Sequence, residues 1–418
     1  MKMQSLFILL ILACFTLSGQ SLGSRAEEIE KEKDAKAKAL KPEAASKAEN
    51  FLRKFKDDKS NGKFELGVQG LRPKFGNMVT GGGFALGLEY LRDDLLEGAL
   101  TTRASAQFST RLYQKYELQA TFPKLANGKV LVDLIASHRD YNSLNYHGPG
   151  PDSRRTGRSN YRLEDTSFDT IVGLSPTRFW KLGSSGGVLL TNVGPGKDRR
   201  FISSELQYSP AVSPAIDQNP HFLRYSVFTQ IDYRDSATGP KSGGNYVIQH
   251  SWYRDLDQGR FDFRRLDIDL EQHIPFLNRT RRIVLRAQGI FMETDTNKLV
   301  PFYLQPIIGG SDTLRGYRRF RFSDRNAVVY NAEYRWEIFS GLDGALFFDA
   351  GKVMPKRSML GFSDLETSAG FGLRFNARNA NFLRLDVGFS QEGFQIWFQF
   401  NDLLNNRKFG ANTRQPAY

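Results

Sequence analysis

The side chains that could do catalytic chemistry are scattered along this sequence. No two of its histidines have the spacing of metal ligands, and no Gly-x-Ser-x-Gly nucleophile turn is present. Gly81-Gly82-Gly83 is not followed by Lys-Ser or Lys-Thr, so it predicts a bend before a strand and not a phosphate-binding loop. We therefore expect no enzymatic activity, no metal site and no cofactor. The five histidines are His138, His147, His221, His250 and His273.

Charged side chains instead recur at every second position of long segments. Asp267 and Asp269 alternate with Leu266, Ile268 and Leu270. Between residues 329 and 339 the even positions are mostly apolar or aromatic, and the odd positions from 331 to 337 are polar or charged. This period of two predicts strands with one apolar and one polar face. A soluble sandwich would also alternate, but its apolar face would lie against a protein core.

The elements that carry this pattern predict an all-β fold, a transmembrane antiparallel β-barrel of about sixteen strands over residues 64–402. Lipid would contact the apolar face, and water the polar face. Long polar loops are predicted at 142–160 and 194–220. An even number of strands would place both chain ends on the periplasmic side, and the 194–220 loop and residues Asp312 to Arg325 on the external side.

The two ends of the predicted barrel meet at one junction. The first strand, 64–71, contains Gly67 and Gly70 and is followed by Pro73, so we expect it to be short and to pair weakly with the last strand. The last strand, 394–402, alternates apart from Trp397. Its pairing with the first strand would remove the exposed edges that lipid does not tolerate.

Composition agrees with a membrane barrel. The mean hydropathy of −0.44 is uninformative, because polar inward positions cancel apolar outward ones. Aromatic residues make up 13% of the chain, a supply that suits a lipid-facing band with aromatic girdles. The net charge of +13 does not indicate nucleic-acid binding, because the basic residues alternate with aromatic ones on strands and do not cluster on one helix.

The N-terminal region predicts export. Residues 1–23 resemble a signal peptide, with Lys2 before an apolar run from Leu6 to Leu17. The only cysteine, Cys14, lies inside this run; a lipoprotein-type anchor is the alternative, although Leu12 is bulky for its place. Residues 24–63 predict a charged periplasmic linker, or a short helix that docks at the barrel mouth or enters the lumen. Residues 403–418 form a C-terminal tail.

Three motifs in order resemble the BamA/TamA family of outer-membrane barrels, the bacterial surface-antigen superfamily. The loop motif of that family corresponds to Leu314, Arg315, Gly316 and Tyr317. The following strands carry Asn331-Ala332-Glu333-Tyr334 and Phe348-Asp349-Ala350-Gly351. The end of the barrel resembles the family's terminal assembly signal, here Gly393, Phe394, Ile396, Phe398 and Phe400.

The resemblance implies that the loop arginine, Arg315, enters the lumen and pairs with Glu333 and Asp349. Strand parity places Glu333 on the polar face independently of it. The resemblance also implies a location in the bacterial outer membrane, contact with outer-membrane lipid, and insertion by the barrel-assembly machinery. By analogy, the junction of the first and last strands would open laterally.

Function is less determined than fold. Residues 24–63 are too few for one periplasmic domain of the family, so delivery of a substrate would need a separate periplasmic partner. A role in inserting or translocating proteins or lipids is the first hypothesis. A passive pore is the second. A surface adhesin or receptor that uses loops 142–160 and 194–220 is the third. The substrate is not predicted.

Overall fold

A computed structural model gives the fold and describes residues 70–76, 78–79, 82–236, 239–277, 280–339, 341–377 and 380–400. The predicted signal peptide, linker and C-terminal tail lie outside these residues, as do residues 64–69 of the predicted first strand.

The described strands follow the predicted two-residue alternation. In chain order they are β1 (Leu71–Gly76), β2 (Ala85–Leu95), β3 (Leu100–Ser109), β4 (Gln114–Lys124), β5 (Val130–Tyr146), β6 (Ser159–Leu174), β7 (Trp180–Pro195), β8 (Phe222–Asp232), β9 (Gly243–Asp255), β10 (Phe263–Phe276), β11 (Arg281–Glu293), β12 (Ile307–Ile308), β13 (Phe322–Ser323), β14 (Asn326–Phe339), β15 (Leu342–Met354), β16 (Glu366–Ala377), β17 (Ala380–Ser390) and β18 (Gly393–Phe400).

All of these strands except β12 and β13 form one 16-stranded antiparallel sheet, in which each strand pairs with its neighbours in sequence. β12 and β13 pair with each other inside the connection between β11 and β14. This arrangement confirms the predicted all-β, sixteen-stranded antiparallel barrel. The sheet curls until Cα atoms of β1 and β18 lie within 8 Å of each other.

Exposure of side chains alternates along the strands as a lipid-facing wall requires. On β15, Leu346 and Phe348 are 52% and 50% exposed, whereas Phe347 and Asp349 between them are 5% and 0% exposed. Apolar side chains on the outside would be unfavourable in water and are favourable against lipid. The polar side chains lie on the inside, because successive side chains of a pleated strand point to opposite faces of the sheet.

Connections differ at the two ends of the barrel. The long-loop rim carries residues 147–158, 196–221, 294–325 and 355–365, and the short-turn rim carries 96–99, 125–129, 175–179 and 340–341. β1 begins and β18 ends at the short-turn rim, because the number of barrel strands is even.

In the part of the chain that the structure describes, helical structure is confined to short pieces of the connections. They are α1 (Leu125–Gly128), a tight turn with positive φ at Ala126 and Asn127, α2 (Ser204–Gln207) and the 3-10 turns Arg155–Gly157, Phe302–Leu304 and Arg357–Met359. None of the helices in the described ranges is long and apolar enough to cross a membrane.

Two predicted boundaries are wrong. The polar loop predicted at 142–160 is shorter, because β5 continues to Tyr146 and β6 begins at Ser159. Tyr146 is buried there, with its ring 4.9 Å from that of Phe302 in a hydrophobic cluster at the long-loop rim. The sequence places Pro73 after the first strand, whereas it lies inside β1 opposite Leu88. Proline is tolerated there because β1 is an edge strand.

Candidate functional site

The inner loop, residues 294–325, leaves the long-loop rim and folds back into the barrel. Its β12–β13 pair packs beside β14 and β15. Leu314 and Tyr317 are buried in one hydrophobic cluster with residues of these strands. The Tyr317 hydroxyl donates a 2.5 Å hydrogen bond to Glu366 Oε2 at the start of β16. Two apolar contacts therefore flank the intervening Arg315 and Gly316.

Arg315 lies between β14 and β15 and forms charge-assisted bonds to both. Its Nη2 is 2.6 Å from Asp349 Oδ1, and its Nε is 3.0 Å from Asp349 Oδ2. Its Nη1 donates to Glu333 Oε2 at 2.7 Å. The guanidinium also lies 3.5 Å from the centroid of the Phe347 ring. Arg315 is 4% exposed, so these bonds are shielded from water and are stronger than surface ion pairs.

Asp349 is fully buried and accepts hydrogen bonds from three further groups. They are the backbone N–H of Arg315 at 3.0 Å, Asn331 Nδ2 at 2.8 Å and Ser368 Oγ at 3.2 Å. Asn331 also donates to the backbone oxygen of Thr313 in the inner loop at 2.8 Å. A buried carboxylate is stable only when its oxygens are paired, and here the inner loop and two strands, β14 and β16, supply the donors.

The structure thus brings Arg315, Glu333 and Asp349 together, and it adds partners that sequence reasoning missed. Glu333 also accepts from Arg335 at 2.5 Å and from Arg374 Nη2 at 2.9 Å. Arg374 in turn donates to the buried Asp386 at 2.6 Å. The sequence did mark both residues, because Arg374 on β16 and Asp386 on β17 are charged residues at inward positions of mainly apolar strands. Their pairing between the two strands could not be predicted from their spacing in the sequence.

Gly316 allows the loop to touch the barrel wall. A Cβ on Gly316 would lie 2.5 Å from the backbone oxygen of Phe389, and one on Gly388 would lie 2.5 Å from the backbone oxygen of Arg315. Both contacts are shorter than a side chain tolerates, so loop and β17 meet backbone to backbone. Ser390 Oγ completes the contact by donating to the oxygen of Gly316 at 2.8 Å.

The terminal strand carries the remaining predicted residues. Phe394, Ile396 and Phe398 are exposed on the outer face of β18, and Gly393 opens the strand with φ of 112°. Phe400 pairs with Leu383 on β17. Trp397, the exception to the alternation, is buried inside, and its Nε1 donates to the backbone oxygen of Arg315 at 2.6 Å. An aromatic side chain at an inward position was the signal that sequence reasoning did not use.

Comparison with known proteins agrees with these features. Residues 96–401 match the Omp85 superfamily domain. The chain belongs to the Omp85 superfamily. It is therefore a β-barrel of the bacterial outer membrane and, at the level of the family, an insertion or secretion barrel.

Solved structures resemble this Omp85 barrel in fold. BamA from Haemophilus ducreyi lacking POTRA domains 1–3 is similar with a TM-score of 0.58 and 14% identity, covering 80% of this chain and 70% of that one. CdiB from Escherichia coli has a TM-score of 0.53 and 14% identity; the match covers 80% of this chain and 63% of that one. CdiB from Acinetobacter baumannii has a TM-score of 0.49 and 14% identity; the match covers 79% of this chain and 60% of that one. The chain thus spans less than two thirds of either CdiB chain. No curated protein matches the sequence.

In this Omp85 barrel the inner loop is attached to five consecutive strands. Its contacts are with Glu333 on β14, Asp349 on β15, Glu366 on β16, Ser390 on β17 and Trp397 on β18. Because β18 is the last barrel strand, the arginine site joins the loop to the edge of the sheet.

Proposed function

We propose that the chain is an Omp85 barrel that inserts or translocates proteins or lipids at the outer membrane through a seam between β1 and β18. The observation that carries the proposal is the state of this seam. Within the described residues β1 pairs with β2 and β18 with β17, and neither forms a ladder with the other. Two neighbouring edges without a ladder are the part of a barrel that separates at the smallest cost.

The first edge is built to pair weakly. β1 has six residues, and Pro73 removes one backbone donor from it. β1 is held on its other side by a full ladder to β2 and by Glu89, which lies against Arg72 and 3.5 Å from Lys74. Separation at the seam would therefore leave β1 attached to β2.

The second edge is coupled to the inner loop. The bond from Trp397 to the backbone of Arg315 connects β18 to the arginine site. Movement of β18 away from β1 would either carry the loop along or break this bond. The proposal therefore assigns the arginine site a structural role in setting the position of β18, with no catalytic step and no cofactor.

The proposed partners follow from the same role. Outer-membrane lipid contacts the outer wall, and the barrel-assembly machinery would recognise the terminal strand. A separate periplasmic protein would deliver the substrate. The loops at 147–158 and 196–221 have no assigned ligand, and no contact in them favours an adhesin.

Cysteine crosslinking tests the seam directly. One cysteine replaces Leu71 or Phe75 on β1, and the other replaces Phe394, Ile396 or Phe398 on β18; all five side chains are exposed on the outer face. The matched control is Leu88→Cys with Ala106→Cys, which face each other across the existing β2–β3 ladder. Oxidation of the seam pairs is expected to abolish the function that the wild-type gene supplies to cells lacking it, and reduction is expected to restore that function. Oxidation of the control pair should change nothing.

A census of outer-membrane proteins and lipids after depletion of this protein from cells identifies the substrate class. We expect the abundance of a subset of proteins, or of one lipid class, to fall within a few generations, before growth is affected. If locking the seam leaves that census unchanged and the barrel conducts ions at a steady level in either state, the chain is a passive pore and the proposal fails.

A further inference from the structure

A cavity of about 440 Å³ opens at the long-loop rim beside β18, outside the arginine site described above. Four arginines line it, each from a different part of the rim or the loop: Arg111 from the β3–β4 turn, Arg158 from the β5–β6 loop, and Arg318 and Arg319 from the inner loop. Trp397 and His147 also line it. The cavity lies on the inward side of the seam, because Trp397 points into the barrel.

The positive charge of this cavity is not neutralised by the described residues. None of the four arginines forms an ion pair with a carboxylate in the ranges that the structure covers. Asp198 and Asp312 attract Arg158 and Arg319 without forming an ion pair with them. Each already binds another arginine: Asp198 is 2.7 Å from Arg200, and Asp312 is 3.3 Å from Arg384. This contrasts with the inner wall of the barrel, where Arg315, Arg374 and Arg224 each contact a carboxylate.

Electrostatic effects on the lining residues agree with an excess of positive charge. Burial and the neighbouring Arg111 lower the pKa of Arg319 to about 10. Burial and the neighbouring Arg318 also lower the pKa of Arg158. Both groups stay charged near neutral pH, so the repulsion persists and an anion in the cavity would relieve it.

Several donors and one acceptor in the wall are held in place and available. Arg158 is oriented by Asn145 Oδ1, which accepts from its Nε at 3.2 Å, and by the Phe201 ring 3.7 Å away. The guanidinium of Arg319 lies 4.7 Å from the Trp397 ring, and its buried Nε has no hydrogen-bond partner among the described residues. His147 donates from Nδ1 to the oxygen of Phe320 at 3.0 Å, and its buried Nε2 is likewise without a partner in that part of the chain.

We propose that this cavity binds a phosphate-bearing anion. Fixed guanidinium groups match phosphate oxygens with pairs of parallel hydrogen bonds. The unprotonated His147 Nε2 fits the remaining P–OH of a monohydrogen phosphate as an acceptor. The same chemistry is offered by free phosphate entering from the mouth and by a lipid phosphomonoester headgroup entering at the seam. Free phosphate reaches the cavity from the mouth without any opening of the seam, whereas entry of a lipid headgroup rests on the seam of the proposed function.

The test uses the full chain purified in a neutral maltoside detergent, with Trp180, Trp252 and Trp336 replaced by phenylalanine so that tryptophan fluorescence reports on Trp397. Inorganic phosphate is titrated in one arm, and mixed micelles of phosphatidylcholine with or without phosphatidic acid in the other. Arg318→Gln with Arg319→Gln is expected to weaken binding by about tenfold or more, because each lost guanidinium removes charge-assisted bonds. The matched control is Arg154→Gln with Arg199→Gln, two exposed arginines of the same rim outside the cavity.

Saturable phosphate binding that the double variant loses supports a soluble anion, and saturation by phosphatidic acid alone supports a lipid headgroup. The inference is overturned if neither probe saturates the fluorescence change, or if the control variant loses as much binding as the double variant. Heat-modifiable gel mobility shows whether the double variant folds. If it does not, Arg111→Gln on its exposed turn is measured instead; a loss of about two- to fivefold supports the site, and no change overturns it.

Discussion

The charge of Arg315 is shared unequally between its two acids. Glu333 has Arg335 and Arg374 as further cationic partners, whereas Asp349 has neutral donors besides Arg315. Loss of Arg315 therefore leaves Asp349 as the carboxylate without a cation. Because Asp349 is fully buried, it cannot recover the loss by contact with water.

Arg315→Ala is expected to release the inner loop at a cost of about 3–5 kcal/mol, as for removal of one partner from a buried ion pair. Arg315→Lys should cost less, because an ammonium keeps the charge but not the forked bonds to Asp349. Protease access to residues 294–325 and heat-modifiable gel mobility are the measurements. Arg200→Ala is the control, since Arg200 pairs with Asp198 at the surface, where water screens the ion pair and its loss should change little.

The combination of Arg315→Ala with Asp349→Asn distinguishes one shared contact from two separate ones. Neutralising Asp349 removes the unpaired charge that Arg315→Ala creates, so the double variant should be no less stable than either single variant. Strictly additive losses would mean that the two residues act independently.

His147 makes the loop contacts at the long-loop rim sensitive to acid. Burial and the charge of Arg321, with smaller contributions from Arg158 and Arg318, lower the pKa of His147 to about 4. The unfolded value is higher, about 6.5, so the folded state resists protonation. Its contribution to stability is complete above the unfolded value and is lost as the pH falls towards 4.

Between about pH 7 and pH 4 we therefore expect the packing of residues 147–158 on the inner loop to weaken, by up to roughly 3 kcal/mol. His147→Asn keeps a donor for the oxygen of Phe320 but does not titrate, so protease access in this variant should change less with pH. His138→Asn, at a half-exposed position of β5, is the control and should follow the wild type. Identical pH profiles for the wild type and His147→Asn would rule out His147 as the sensor.

At the scale of elements, the sequence predicts what depends on alternation and little of what depends on packing between loops. Strand β14 is predicted over residues 329–339, because its apolar and polar positions alternate there. The extensions of β5 to Tyr146 and of β6 to Ser159 are not predicted, since Tyr146 packs on residues of distant loops, among them Tyr208 and Phe302. The partners Arg374 and Asp386 depend on register between β16 and β17, which the sequence leaves open.

The attachment of the inner loop to β18 depends on Trp397. Trp397→Phe keeps the ring beside Arg319 but removes the Nε1–H that binds the oxygen of Arg315, so a buried carbonyl loses its partner. We expect a loss of about 1–3 kcal/mol and faster protease cleavage of the inner loop. Trp180→Phe, at an exposed position on β7, gives the matched control. Unchanged cleavage in Trp397→Phe would show that the position of the inner loop does not depend on its bond to the terminal strand.

Gly388 gives a steric test of the same attachment. Gly388→Ala places a Cβ 2.5 Å from the backbone of Arg315 and should displace the loop from β17 without removing any charge. Gly186→Ala is the control, because a Cβ there meets nothing within 4 Å. Inner-loop cleavage should rise in the first variant alone. Equal cleavage in both would show that the backbone contact is dispensable.

At the scale of the whole molecule, an even number of strands fixes the relation of the chain ends to the loops. β1 begins and β18 ends at the short-turn rim, so the periplasm lies at that rim if the chain enters the membrane from inside the cell. The long-loop rim, with its arginine-lined cavity, then faces outwards. This orientation determines which molecules can reach the cavity without passing the seam.

An epitope tag beside Lys197 should therefore be labelled in intact cells, and one after Asn405 in the C-terminal tail should be labelled only after permeabilisation. A third tag at Glu97, exposed in a tight turn of the short-turn rim, should behave like the tail, because β2 and β3 carry it to the same side. The Glu97 tag lies on the barrel itself. It therefore shows whether the tail is unlabelled because of its side of the membrane or because something covers the tail locally. Labelling of Glu97 and the tail in intact cells, with Lys197 protected, would invert the orientation and place the cavity in the periplasm.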